Sequence, residues 1–140
     1  MKNNNMEDTD AVENEQYSTD PRVPLDHLFE DERGIIKNLL HTPIYSVAYI
    51  TSKKGTERAN HYHNVDHHYA FVLSGEIEYC ERNIDGSNPR SWIFKTGDMF
   101  YTRPQIVHVM RFIQDTVFMT FSKVKKDHEH YEEDVKRVKF

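Results

Sequence analysis

A single cysteine, Cys80, is all the thiol chemistry this 140-residue chain contains, so it cannot form an internal disulfide and nothing calls for an oxidising compartment. No apolar run is long enough to cross a bilayer, and the lone early lysine is not followed by the apolar centre of a signal peptide. Together these absences predict a soluble, cytoplasmic protein with no membrane partner. Basic residues are outnumbered, 18 against 23 acidic ones, and they are scattered along the chain. A nucleic-acid partner would need them gathered on one face, so that class is set aside. Cys80 itself sits in the alternating stretch EIEYCER with no neighbouring base, and it reads as a small packed residue.

What is present suffices for one domain: 37% hydrophobic residues over this length make one real core and not two. Residues 1–20 carry Asn, Asp, Glu and Thr with almost no large apolar side chains, so they are expected to form a disordered acidic tail. Residues 21–125 are expected to form a β-barrel. Within them, residues 23–40 are either a short helix or an incoming edge strand, with Gly34 favouring a turn after Arg33. From YSVAYIT onward, through RANHYH, HYAFVLS, EIEYCER, SWIFK, MFYT, VHVMRF and TVFMTFS, about eight short alternating runs are separated by turn residues, which is the pattern of an all-β barrel or jelly roll. Residues 126–140 are a charged C-terminal helix or arm. Its His128 and His130 are flanked by Lys, Asp and Glu, which marks a solvated surface.

The chemistry concentrates in GTERANHYHNVDHHYAFVLSG, where four of the nine histidines fall within eight positions. On a strand, His61 and His63 point the same way and Tyr62 the other. Asn64, Val65 and Asp66 interrupt the pattern and turn the chain. On the next strand His68 shares a face with Ala70 and Val72, while His67 goes with Tyr69, Phe71 and Leu73. Forty residues beyond His68, His108 stands mid-strand with large apolar residues, Met110 and Phe112, on its face. A buried imidazole in such company needs a partner on each nitrogen, and a metal with a hydrogen-bond acceptor behind the ring supplies both. His61, His63, His68 and His108 are therefore the candidate metal ligands. Asp66 is either an acceptor for one of the imidazoles or a turn cap.

These residues resemble the cupins. The first cupin motif runs from a glycine through His-x-His to a glutamate and a closing glycine. Here it reads Gly55, His61, His63, then His68 where the glutamate usually stands, then Gly75. The second motif runs from Gly97 to His108, with Pro104 one position late and Phe112 where asparagine is common. The resemblance implies a double-stranded β-helix, or jelly-roll barrel, and a divalent metal: zinc or iron first, with nickel, copper and manganese open. An all-histidine set is neutral, so the ion would keep its full charge.

Within the cupins the chain is similar to small proteins related to dTDP-sugar 3,5-epimerases and 3,4-ketoisomerases. DERG at residues 31–34 and Arg58 carry that likeness. It implies that Arg33 and Arg58 bind substrate phosphate, which suits a planar guanidinium, although a surface ion pair explains either arginine equally well. The implied function is proton transfer next to a ketone in a nucleotide sugar such as a dTDP-sugar. No catalytic residue is identified; the candidates are a histidine not bound to metal and Tyr49, Tyr69 or Tyr101. A metal dioxygenase and a non-catalytic metal- or sugar-binding module are the alternatives. The resemblance also implies a homodimer, whose interface Trp92, Phe94 and Phe100 would fill if they are not core residues.

Overall fold

The computed structural model describes residues 17–125 and 133–140, and His128 and His130 fall outside them. The eight alternating runs are eight strands: β4 (Ser46–Ser52), β5 (Glu57–His63), β6 (His68–Ser74), β7 (Glu76–Arg82), β8 (Arg90–Lys95), β9 (Met99–Thr102), β10 (Val107–Phe112) and β11 (Thr116–Ser122). They are joined by β1 (Arg22–Val23) and by β12 (Val135–Arg137). One sheet has the order β1-β9-β6-β11-β4 and the other β12-β5-β10-β7-β8, and neighbouring strands within them pair antiparallel. This is the jelly-roll arrangement the alternation predicts. Among the described residues no helix is long and apolar enough to cross a membrane.

Side chains alternate across each strand, so one face of each sheet fills the space between the two sheets. Ala70 and Val72 from β6 meet Ile77 and Tyr79 from β7, Phe94 from β8, Phe100 from β9, Phe112 from β10 and Phe118 from β11. Phe94 and Phe100 stack at 4.5 Å and 10°, with Trp92 packed against the cluster. The three aromatics considered for an interface are therefore core or core-flanking residues. Phe112, in the position where asparagine is common, is 2% exposed and stacks on Phe118 at 5.6 Å. Burying each such ring is worth about 2–3 kcal/mol.

Residues 23–40 are not helical. They form a separate hairpin, β2 (Asp26–Asp31) and β3 (Gly34–Asn38), turning at Glu32 and Arg33. The C-terminal segment contributes β12, which pairs with β5. Neither outcome is set by local pattern, because a hairpin and an added strand are each fixed by their partner.

Two local features aim the strands. At the β6–β7 corner Gly75 has φ of +113°, and a Cβ there would lie 2.4 Å from Thr116 Oγ1 and 2.7 Å from Asp115 O and Thr116 Cα. Within β5, His108 is opposite His61 while Val109 is opposite Ala59, so Asn60 is an extra residue and forms a bulge. Ala59 and Asn60 take φ of 80° and 58°, a conformation that costs a side-chain-bearing residue about 1–2 kcal/mol.

Gly75→Ala should destabilise the fold by about 2–4 kcal/mol, since two of the clashing atoms are backbone and cannot rotate away. Urea midpoints measure this, and a variant as stable as the parent would contradict the crowded corner. Ala59→Gly relieves strain and should leave stability within about 1 kcal/mol of the parent, whereas Ala59→Val should lose more than that.

Candidate metal centre

β5 and β10 are central neighbours in one sheet, and their register puts His61 directly across from His108. His63 follows two residues along the same face of β5, and His68 enters from β6 in the opposite sheet. All four are buried, at 9% (His61), 2% (His63), 9% (His68) and 1% (His108). Their ring centroids lie 4.7 Å apart for His61–His63, 4.8 Å for His61–His108, 5.8 Å for His63–His68, 5.9 Å for His63–His108 and 6.1 Å for His68–His108. Imidazoles from three strands in two sheets thus converge on one cavity, as their spacing in the sequence predicts.

The four are not equivalent. His61, His63 and His108 form one tight group in which one nitrogen from each lies within 4.8 Å of the others, whereas His68 groups with His63 and Asp66. Hydrogen bonds settle two tautomers. His108 Nδ1 is 3.1 Å from Ile106 O, and a carbonyl only accepts, so Nδ1 carries the proton and Nε2 the lone pair. His63 Nδ1 likewise faces Asp134 Oδ2 at 3.1 Å, which leaves Nε2 of that ring as the lone-pair atom. An imidazole anchored through Nδ1–H to a carbonyl or carboxylate is the usual arrangement of a metal-ligating histidine. His68 Nδ1 is 3.6 Å from Asp66 Oδ2, an ion-pair distance too long for a hydrogen bond.

Burial, followed by the neighbouring imidazoles of His61 and His68, pushes the protonation of His108 well below the usual histidine range. The ring is therefore a neutral donor at physiological pH. Three imidazole nitrogens, two of them on rings oriented from behind, suit a borderline divalent ion such as zinc or iron(II).

The cavity has a volume of about 610 Å³. Ile50, Met110 and Ala48 make its apolar wall, and Ser46, Thr120 and Ser122 add hydroxyl-bearing residues. Arg58 also lines it, with its guanidinium donating to Ser52 Oγ at 2.7 Å and to Thr51 O at 3.0 Å. The bulge at Asn60 explains this position: strict alternation from His61 would send an even-numbered β5 residue to the opposite face, and the extra residue reverses the parity.

Arg33 lies elsewhere. It occupies the β2–β3 turn with its side chain 82% exposed, bonded to the Asp31 carboxylate at 2.6 and 3.0 Å. Among the described residues no tyrosine lines the cavity. Tyr49 is 67% exposed, and Tyr69 packs against Tyr101, which is bonded to His67 Nδ1 at 2.7 Å. Cys80 is buried, which pushes its thiol pKa up. Sequence reasoning missed Asp134, because a lone acidic residue in a charged tail has nothing to mark it.

The cupin domain model matches residues 48–122, and the chain belongs to this family. No curated protein matches it. Among solved structures, it is similar to QdtA, a sugar 3,4-ketoisomerase from Thermoanaerobacterium thermosaccharolyticum in complex with TDP, at 18% identity and TM-score 0.66, covering 84% of this chain and 85% of that one. WlaRA, a TDP-fucose-3,4-ketoisomerase from Campylobacter jejuni, gives 16% and 0.65, covering 84% and 87%. CapF, a capsular polysaccharide assembling protein from Staphylococcus aureus, gives 19% and 0.62 over 84% of this chain, which spans only 35% of the CapF chain. At these identities the likeness is one of fold.

The depressed pKa of His108 has a sign that can be tested. Between the unfolded value near 6.5 and the lower folded value, the unfolded chain binds a proton that the folded protein refuses, so stability rises with pH there. Chelator-treated protein should therefore lose thermal stability as pH falls below about 6.5, and His108→Gln should flatten that decline. An identical slope in the variant would contradict a buried neutral His108.

Proposed function

We propose that this cupin holds a divalent ion, zinc or iron, on His61, His63 and His108, and moves a proton next to the ketone of a nucleotide-linked sugar such as a dTDP-sugar. The observation carrying this is the grouping of the four imidazoles: one nitrogen from each of His61, His63 and His108 lies within 4.8 Å of the others, whereas His68 groups with His63 and Asp66. Bound there, the ion supplies positive charge beside a carbonyl oxygen. His68, expected from the sequence as a fourth ligand, is assigned here as the base. Asp66 lies at its Nδ1 side and stabilises the imidazolium formed when the ring takes a proton.

The remaining lining fits a sugar. Apolar Ile50 and Met110 suit the carbon face of a pyranose, Thr120 and Ser122 offer hydroxyls to orient it, and Arg58 is the guanidinium for a phosphate. The assignment of a nucleotide sugar is supported by the shared fold with ketoisomerases whose structures hold TDP. Arg33, on an exposed hairpin, is assigned to phosphate only if a partner copy brings that hairpin to the cavity. A homodimer is proposed on a different surface from Trp92, Phe94 and Phe100. Tyr45 just before β4, Val47 and Tyr49 on it, and Phe29, Ile35 and Ile36 on the hairpin are large apolar or aromatic side chains each between 49% and 70% exposed.

Tag-free protein should contain about one equivalent of metal per chain, and His61→Ala with His63→Ala should lose it. His68→Gln should keep the metal yet lose solvent-deuterium incorporation into a 4-keto sugar nucleotide by at least about 100-fold. Wild-type protein free of metal would overturn the triad. Loss of metal from His68→Gln would return that residue to the ligand set. Deuterium incorporation that survives in His68→Gln would remove it as the base.

A further inference from the structure

Asp134 lies beyond the residues matched by the cupin model, immediately before the C-terminal strand, yet it reaches His63 in the site. Its carboxylate is 14% exposed and collects three N–H groups. Oδ2 receives His63 Nδ1 at 3.1 Å and the Asp66 amide at 3.1 Å, and Oδ1 receives the Val65 amide at 2.6 Å. Its carbonyl accepts from Asn64 N at 3.0 Å. One residue therefore fixes the whole turn between β5 and β6, which has His63 at one end and His68 at the other.

The strand that follows Asp134 is held along its length. Val135 pairs with His63, Lys136 with Tyr62 and Arg137 with His61, so β12 runs beside the very segment that presents the two histidines. Val138 N donates to Asn60 O at 3.0 Å, on the bulge, and Arg82 donates to Lys139 O at 3.0 Å. Phe140 lies beneath the guanidiniums of Arg82 and Arg111 at 5.6 and 5.7 Å. Without β12, β5 would be an edge strand with unpaired backbone groups beside the site.

We propose, resting on the metal-site reading above, that β12 is a latch and Asp134 a positioning residue: its carboxylate fixes His63 as the Nδ1–H tautomer, so that Nε2 presents its lone pair to a divalent cation. Asp134 touches neither substrate nor reacting atoms. It acts through His63 and through the turn that leads to His68. A carboxylate suits this role better than an amide, because three donors need two acceptor oxygens and an asparagine offers only one.

Two readouts on the full-length chain test this. In the chelator-treated protein, nitrogen-15 NMR of the His63 ring reports which nitrogen carries the proton. Wild-type should show Nδ1–H, and Asp134→Ala should show a mixture of tautomers. Asp134→Asn, nearly isosteric, keeps one acceptor and serves if the alanine variant does not fold; it too should shift the tautomer balance. Cobalt(II) titration should show affinity weakened by about 10–100-fold in Asp134→Ala. A purely structural role would lower the melting temperature and leave the tautomer unchanged, and that result in both variants would overturn the proposal. If wild-type binds no cobalt but the variants still change the tautomer, positioning by Asp134 stands and the metal reading falls.

Discussion

Several imidazoles crowded into one cavity, each at most 9% exposed, create a problem that the rest of this fold is built to solve. A ring nitrogen shut away from water must find a partner, and protonating one ring among several is opposed by burial and by the neighbours. His108 shows the outcome: 1% exposed, bonded on one side to Ile106 O, and pushed well below the usual histidine range. His63 shows the same arrangement with a carboxylate behind it. Rings anchored from the rear through Nδ1 present Nε2 inward, and a cation is the partner that several such nitrogens can share at once.

The architecture follows from that requirement. Pairing β5 with β10 in the middle of a sheet sets His61 and His108 opposite one another, and the facing sheet adds His68 across the gap. The bulge at Asn60 changes the parity of β5, so that His61, His63 and Arg58 all reach the cavity although their spacing forbids it on a regular strand. The two residues with positive φ beside His61 show where the strain of this departure is held. On the outer side β12 covers the edge that β5 would otherwise leave open.

The strands and the four histidines were legible because they rest on a local rule, the period of two that sends alternate residues inward. Gly75 was legible as a motif glycine, and its crowded corner with Thr116 supplies the physical reason. What escaped depends on partners distant in the chain. Nothing around Asp134 marks it as the acceptor for a histidine 71 positions earlier. The β2–β3 hairpin and β12 have weak patterns of their own and take their form from pairing. The grouping of His68 with His63 and Asp66, rather than with His61 and His108, is a matter of ångströms that spacing does not resolve. Trp92, Phe94 and Phe100 were ambiguous because an aromatic on a strand reads the same whether it faces a core or a partner.

The most direct test is diffraction from crystals grown with zinc, recorded on both sides of its absorption edge. A single anomalous peak at about 2.1 Å from a ring nitrogen of each of His61, His63 and His108 is the predicted result. A cavity with no such peak under saturating zinc, or a peak bound elsewhere on the molecule, would contradict the account.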